Sequence, residues 1–251
     1  MPRNLKITLA YDGADFHGWQ VQPGKATVQA ALADALERIT GGKELPQGSG
    51  RTDAGVHALG QVASVRSDSP IPLGNLASAL NDTLPRSVRV LRVEEAPEDF
   101  HARRAAKAKT YRYRIWRETI CPPFLARYVT HHPYPLDEAA MGKAAGMVVG
   151  EHDFTSFAAV DPEKNRDDAE RSNVRKIFAS AFRRDGAELV YEVRGSGFLH
   201  HMVRNLVGTF LLVGKGTLNP GDLGDILNKK SRAAAGATAP AEGLYLVSVE
   251  Y

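Results

Sequence analysis

The sequence predicts an α+β protein built as two halves, and three observations carry that expectation. Segments that alternate apolar and polar residues recur at Leu5–Tyr11, Gln61–Arg66, Val88–Glu94 and Ala108–Arg117, the pattern of half-buried strands. Segments with helical spacing lie between them, at Thr27–Thr40 and Leu73–Leu84. A strand-and-helix succession then starts again beyond a connector near residue 104. The 251 residues, 43% of them apolar, suffice for one large domain or two smaller ones. Boundaries at 1–104 and 105–251 are expected, each half a ferredoxin-like (RRM-like) unit with an antiparallel sheet.

Each element has a local reason. In the first helix Val28, Ala31, Leu32, Ala35, Leu36 and Ile39 fall on one face, with Thr27 as N-cap and Gly41 as stop. The second helix is placed by Leu76, Ala77 and Leu80 and ended by Pro85. The first half thus reads β-α-β-β-α-β. In the strand Ala108–Arg117, Tyr111, Tyr113 and Ile115 share one face and Arg112, Arg114 and Trp116 the other. Asp137–Val149 reads as a small-residue helix capped by its Asp, and Asp161–Glu170 as a charged, aperiodic surface loop. Val174–Arg184 and Glu188–Val193, joined at Asp185-Gly186, read as a hairpin. Met202, Val203, Leu206, Val207, Phe210 and Leu211 have helical spacing, which puts Arg204 on a largely apolar helix. A last strand covers Leu246–Tyr251.

Composition excludes several classes. Cys121 is the sole cysteine, so neither an intramolecular disulfide nor a cysteine-based zinc site can form, which fits a reducing cytoplasm. No signal-peptide core follows Met1, and the longest apolar stretch, Leu206–Val213, is too short to span a bilayer. Adjacent helix positions diverge by roughly 100°, so His200 and His201 are not expected to share one metal, and no metal or cofactor is expected. The net charge is only +3, yet His101 to Arg117 holds seven Lys/Arg and no acid, leaving about −4 elsewhere. Tyr111, Tyr113 and Trp116 interleave that run. Local positive charge beside rings suits RNA, whose phosphates meet Lys and Arg while unpaired bases stack.

The stretch around which the chain is organised is Gly48-Ser-Gly-Arg51-Thr-Asp53-Ala-Gly55-Val-His57-Ala-Leu-Gly60-Gln61. Its four glycines disfavour regular structure, and between the loop glycines sit a guanidinium, a hydroxyl, a carboxylate and an imidazole. A lone Asp in such a loop more often closes an Asx turn. The functional alternative gives Asp53 covalent or acid/base chemistry, with Arg51 setting its electrostatics.

The octet GRTDAGVH, followed by an alternating strand, resembles the active-site loop of tRNA pseudouridine synthases of the TruA family. Further matches are YDG with F-x-G-W-Q (Tyr11 to Gln20), the FHARxxA-like connector at Phe100, FLHHMVRNLVG at Phe198 and the closing Ala239–Leu246 stretch, so the resemblance spans most of the chain. It implies the pseudouridine synthase fold, two α+β halves flanking a basic active-site cleft. It implies Asp53 as the catalytic residue, nucleophile or base, Arg204 as its ion-pair partner and Tyr111 as the residue that stacks on uracil and helps move a proton. Leu244 is implied as lining of the uracil pocket; apart from the resemblance, the local charge makes Arg51, Arg103, Lys107 and Lys109 the expected RNA contacts. The implied activity isomerises uridines 38–40 of the tRNA anticodon stem-loop, in a cytoplasmic homodimer. The alternatives are a non-catalytic structured-RNA-binding protein, a synthase acting at another RNA position, and a glycosidase releasing free base. A zinc deaminase is disfavoured, because the chain lacks H-x-E with P-C-x-x-C.

Overall fold

A computed structural model describes residues 2–160 and 172–251, so the charged segment 161–170 lies outside the described residues. The chain forms an α+β fold divided into two compact units, residues 1–107 with 245–251, and residues 108–244.

The first unit contains β1 (Arg3–Tyr11), α1 (Val28–Thr40), β2 (Gln47–Gly48), β3 (His57–Ser67), α2 (Leu73–Thr83) and β4 (Val88–Ala96). Its sheet runs β4-β1-β3, with the two-residue β2 on the flank of β3. β1 pairs antiparallel with both neighbours. In β1 the alternation holds residue by residue: Leu5, Ile7, Leu9 and Tyr11 are buried. The strand β10 (Leu244–Glu250) adds to β3 in parallel, with Tyr245 opposite His57, an exception to the antiparallel expectation. Thr27 caps α1, its hydroxyl accepting from Ala30 N at 3.4 Å, and Gly41 ends it with φ 73°. Gln29 on α1 is buried as well. It accepts from Val21 N at 3.0 Å and donates to the Pro46 carbonyl at 2.9 Å, tying together the segments on either side of the helix.

The second unit contains β5 (Ala108–Trp116), β6 (Thr130–His131), α3 (Glu138–Met147), β7 (Gly150–Asp153), β8 (Val174–Asp185), β9 (Glu188–Gly195), α4 (Met202–Gly214) and α5 (Asp222–Lys229). Its sheet order is β5-β9-β8-β7, antiparallel throughout, with β6 parallel to β5. The β8–β9 hairpin turns at Gly186, and α3 begins with the Asp137 carboxylate accepting from Ala140 N at 2.8 Å. Phe154 and Phe157, from a short 3-10 turn after β7, are fully buried. The helix α5 was not expected: eight residues with three apolar side chains, Leu223, Ile226 and Leu227, give too few repeats to stand out. Among the described residues no helix is long and apolar enough to cross a membrane.

Candidate active site

Asp53 sits on the connection between β2 and β3. It is half-buried rather than sealed, and its carbonyl accepts from Val56 N at 3.1 Å, closing a tight turn. The loop is braced from below by the segment after β1. Trp19 N donates to the Thr52 carbonyl at 3.0 Å, Gly55 N to the Phe16 carbonyl at 3.3 Å, and Gly13 N to His57 Nδ1 at 3.0 Å. His57 is buried and stacks on Tyr245 with centroids 4.8 Å apart. Gly18 has φ 88°, and a Cβ there would lie 2.4 Å from the Thr52 carbonyl oxygen, so only glycine lets the two loops meet. Arg51 is half-buried, and its Nε donates to Gln20 Oε1 at 3.2 Å. Gln20 closes the F-x-G-W-Q segment, which the motif alone does not mark as catalytic. Its contact assigns it a site role: it orients the guanidinium two residues before Asp53.

In the second unit Tyr111 lies on β5, 8% exposed, with Phe198 meeting its ring edge-on at 4.9 Å. Arg204 lies in the first turn of α4. Its Nε donates to the Ala239 carbonyl at 2.8 Å, and Ala239 N donates back to the Arg204 carbonyl at 3.1 Å. Arg204 is therefore a clamped side chain and not one snorkelling at a helix edge. Asn205, fully buried, extends the clamp. Its Nδ2 donates to the Phe157 carbonyl at 2.7 Å, and its Oδ1 accepts from Thr238 Oγ1 at 2.7 Å and Arg232 Nη2 at 3.0 Å. Leu244, 5% exposed, opens β10 just past this segment. Thr209 adds a third tie, its Oγ1 accepting from Gly236 N at 2.9 Å, so residues 232–240 are held to α4 through Arg204, Asn205 and Thr209.

A profile described as tRNA pseudouridine synthase matches residues 7–103 and 144–251, most of the chain. The chain belongs to the tRNA pseudouridine synthase family. A protein of Solibacter usitatus named tRNA pseudouridine synthase A is 53% identical over 249 residues, covering 99% of this chain and 100% of that protein. Proteins of the same name from Geobacillus kaustophilus and Caldicellulosiruptor saccharolyticus are 44% and 42% identical, covering 100% and 99% of this chain and 95% and 100% of their own lengths. The family match contains Arg51, Asp53, Arg103, Arg204 and Leu244. Lys107, Lys109 and Tyr111 fall between its two segments.

For a member of this synthase family, the distribution of positive charge matters, and here the structure corrects the sequence. Three of the seven basic residues of the run face carboxylates supplied by neighbouring elements: Arg112 to Glu192 at 3.0 Å, Arg114 to Glu188 at 2.5 Å and Arg117 to Glu138 at 3.4 Å. The first pair is directly cross-strand in the β5–β9 register. The run has no acid along the chain but meets acids from the neighbouring strand β9 and from α3. Arg103, Arg104 and Lys107 are exposed and Lys109 half-exposed. The aromatic expectation narrows in the same way. Tyr113 is fully buried, its hydroxyl bonded to Thr130 Oγ1 at 2.6 Å and to the Pro240 carbonyl at 2.7 Å, so it offers no stacking face. Trp116 donates its Nε1–H to the Ile120 carbonyl at 2.8 Å.

The paired histidines also differ from expectation. His201 is the residue before α4, with φ 58°, so the two rings are not splayed by helical rotation; their centroids lie 4.0 Å apart. Burial, with a contribution from Glu188, raises the Cys121 thiol, the opposite of what an activated nucleophile needs.

Proposed function

We propose that this chain isomerises uridine to pseudouridine in tRNA, at positions 38–40 of the anticodon stem-loop. The observation that carries the reading is the braced loop presenting a half-buried Asp53, in a chain that belongs to the synthase family throughout its matched length. The reaction breaks the C–N glycosidic bond, turns the base and joins its C5 to C1′. The atoms of substrate and product are the same, so the reaction consumes no redox cofactor and no external energy. Asp53 either attacks C1′ or removes the C2′ proton, and a base then takes the C5 proton. Arg204 is the ion-pair partner that keeps Asp53 anionic, since a nearby cation favours the carboxylate. Tyr111 stacks on the everted uracil and assists proton transfer, while Leu244 lines the base pocket. Arg51, Arg103, Lys107 and Lys109 contact the RNA. In this reading the 1–104 half brings the acid and the 105–251 half the tyrosine and arginine. The enzyme works as a cytoplasmic homodimer.

Tritium release from tRNA labelled at uridine C5 tests the proposal, with modified positions mapped on the product. The protein is expected to release label at 38–40. Asp53→Asn should lower the rate by about a thousandfold or more, with tRNA affinity within about twofold. Free uracil and an abasic site would replace this reading with a glycosidase; full activity of Asp53→Asn would remove Asp53 from the chemistry.

A further inference from the structure

A chain of buried polar groups runs beneath the Asp53 loop, wholly inside the first unit. Ser49 and Gln61 are fully buried, and Tyr11 and Thr52 are 4% and 6% exposed. Ser49 Oγ donates to Gln61 Oε1 at 2.6 Å, which also accepts from Val62 N at 3.1 Å. Gln61 Nε2 donates to the Gly50 carbonyl at 3.0 Å and to the Tyr11 hydroxyl at 3.4 Å. The Val62 amide can only donate and the Gly50 carbonyl can only accept, so these two partners fix the orientation of the Gln61 amide. Tyr11 in turn is 2.8 Å from Thr52 Oγ1 and, already accepting from Gln61, donates to it. Every donor therefore points the same way, Ser49 to Gln61 to Tyr11 to Thr52, an arrangement in which each bond polarises the next. The chain is anchored to the loop at three sites: the Ser49 side chain, the Gly50 carbonyl and the Thr52 side chain. The chain ends one residue before Asp53. Burial pushes the Tyr11 hydroxyl up to about 12, which keeps it a proton donor throughout the working range.

We propose that this head-to-tail chain is a positioning device for the reaction, with Tyr11 and Gln61 setting the backbone that presents Asp53. The inference rests on the isomerase reading for its activity arm. A loop held at residues 49, 50 and 52 confines the intervening backbone, and misplacement of a reacting group by a fraction of an ångström costs rate more than binding. Tyr11→Phe and Thr52→Val delete opposite ends of one bond while conserving shape; Thr52→Ser keeps the hydroxyl.

The test measures single-turnover tritium release, tRNA Kd and amide exchange of residues 50–55 in the full chain. Each deletion should slow release by about tenfold with Kd within about twofold. The double variant should be no slower than Tyr11→Phe, which has already lost, along with its Gln61 contact, the Tyr11–Thr52 bond that Thr52→Val deletes. Thr52→Ser should retain nearly the full rate, and amide exchange in the loop should quicken in both deletions. Wild-type rates in both deletions, effects that multiply, or a loss in Kd alone would each overturn the positioning role. A wild-type protein that releases no tritium would count against the isomerase reading instead. Amide exchange would then decide the positioning role by itself: unchanged exchange in Tyr11→Phe overturns it.

Discussion

At the scale of single residues, the candidate site is set by close approaches that tolerate no extra atom. Gly18 is the clearest case. Alanine there would meet both a positive φ and the Thr52 carbonyl oxygen, backbone against backbone, with no flexible side chain to give way. Gly18→Ala should lower stability by about 2–4 kcal/mol and slow the reaction further by displacing the loop. Chemical denaturation with an activity assay checks this, and a variant as stable and active as wild type would show that the two loops need not touch. The octet around Asp53 was legible because its residue types are unusual together. The supporting residues were less so. Gln61 could have been suspected as a glutamine on the inward face of an alternating strand, and Asn205 as a polar residue inside an apolar helix. Gln20 gave no signal beyond its motif, since its role exists only through a side chain 31 residues away.

At the scale of elements, periodicity located the longer helices and strands and local chemistry ended them. Thr27, Asp137 and Gly41 act at the ends where their side chains, or the lack of one, satisfy backbone groups. Elements whose existence depends on a partner were not legible. β2 and β6 are two residues each and exist only as additions to β3 and β5. α4 shows how an element's environment is decided from outside. A Cβ on its Gly208 would fall 1.7 Å from the Ala237 carbonyl oxygen, so the segment that Arg204 and Asn205 clamp lies directly on the helix. Gly208→Ala should force that segment away, lowering the melting midpoint and costing roughly 3 kcal/mol. It should also release the Arg204–Ala239 contacts and reduce activity. An unchanged melt would mean that residues 236–239 can shift at little cost.

At the scale of the whole molecule, a net charge of +3 says little, because the charges are neither evenly spread nor all available. Arg112, Arg114 and Arg117 meet carboxylates, so these three add less to the effective footprint of the basic run than their number suggests. Replacing Arg103 and Lys107 together by alanine should weaken tRNA binding and reduce the slope of log K against log salt by roughly 1–2. Replacing Arg112 should leave that slope nearly unchanged; equal effects at both places would contradict the cross-strand screening. By itself the amino-acid order determined the α+β class, the main strands and helices, and the acid-bearing loop, because all three are written in neighbouring residues: periodicity, caps and a dense motif. Tertiary structure alone decided which arginines face carboxylates, which tyrosine is sealed, that the last strand joins its neighbour in parallel, and that a hydrogen-bonded chain supports the loop. Those properties depend on pairings between residues far apart in the chain, and their energies arise only once folding has brought the partners within bonding distance and excluded water from around them.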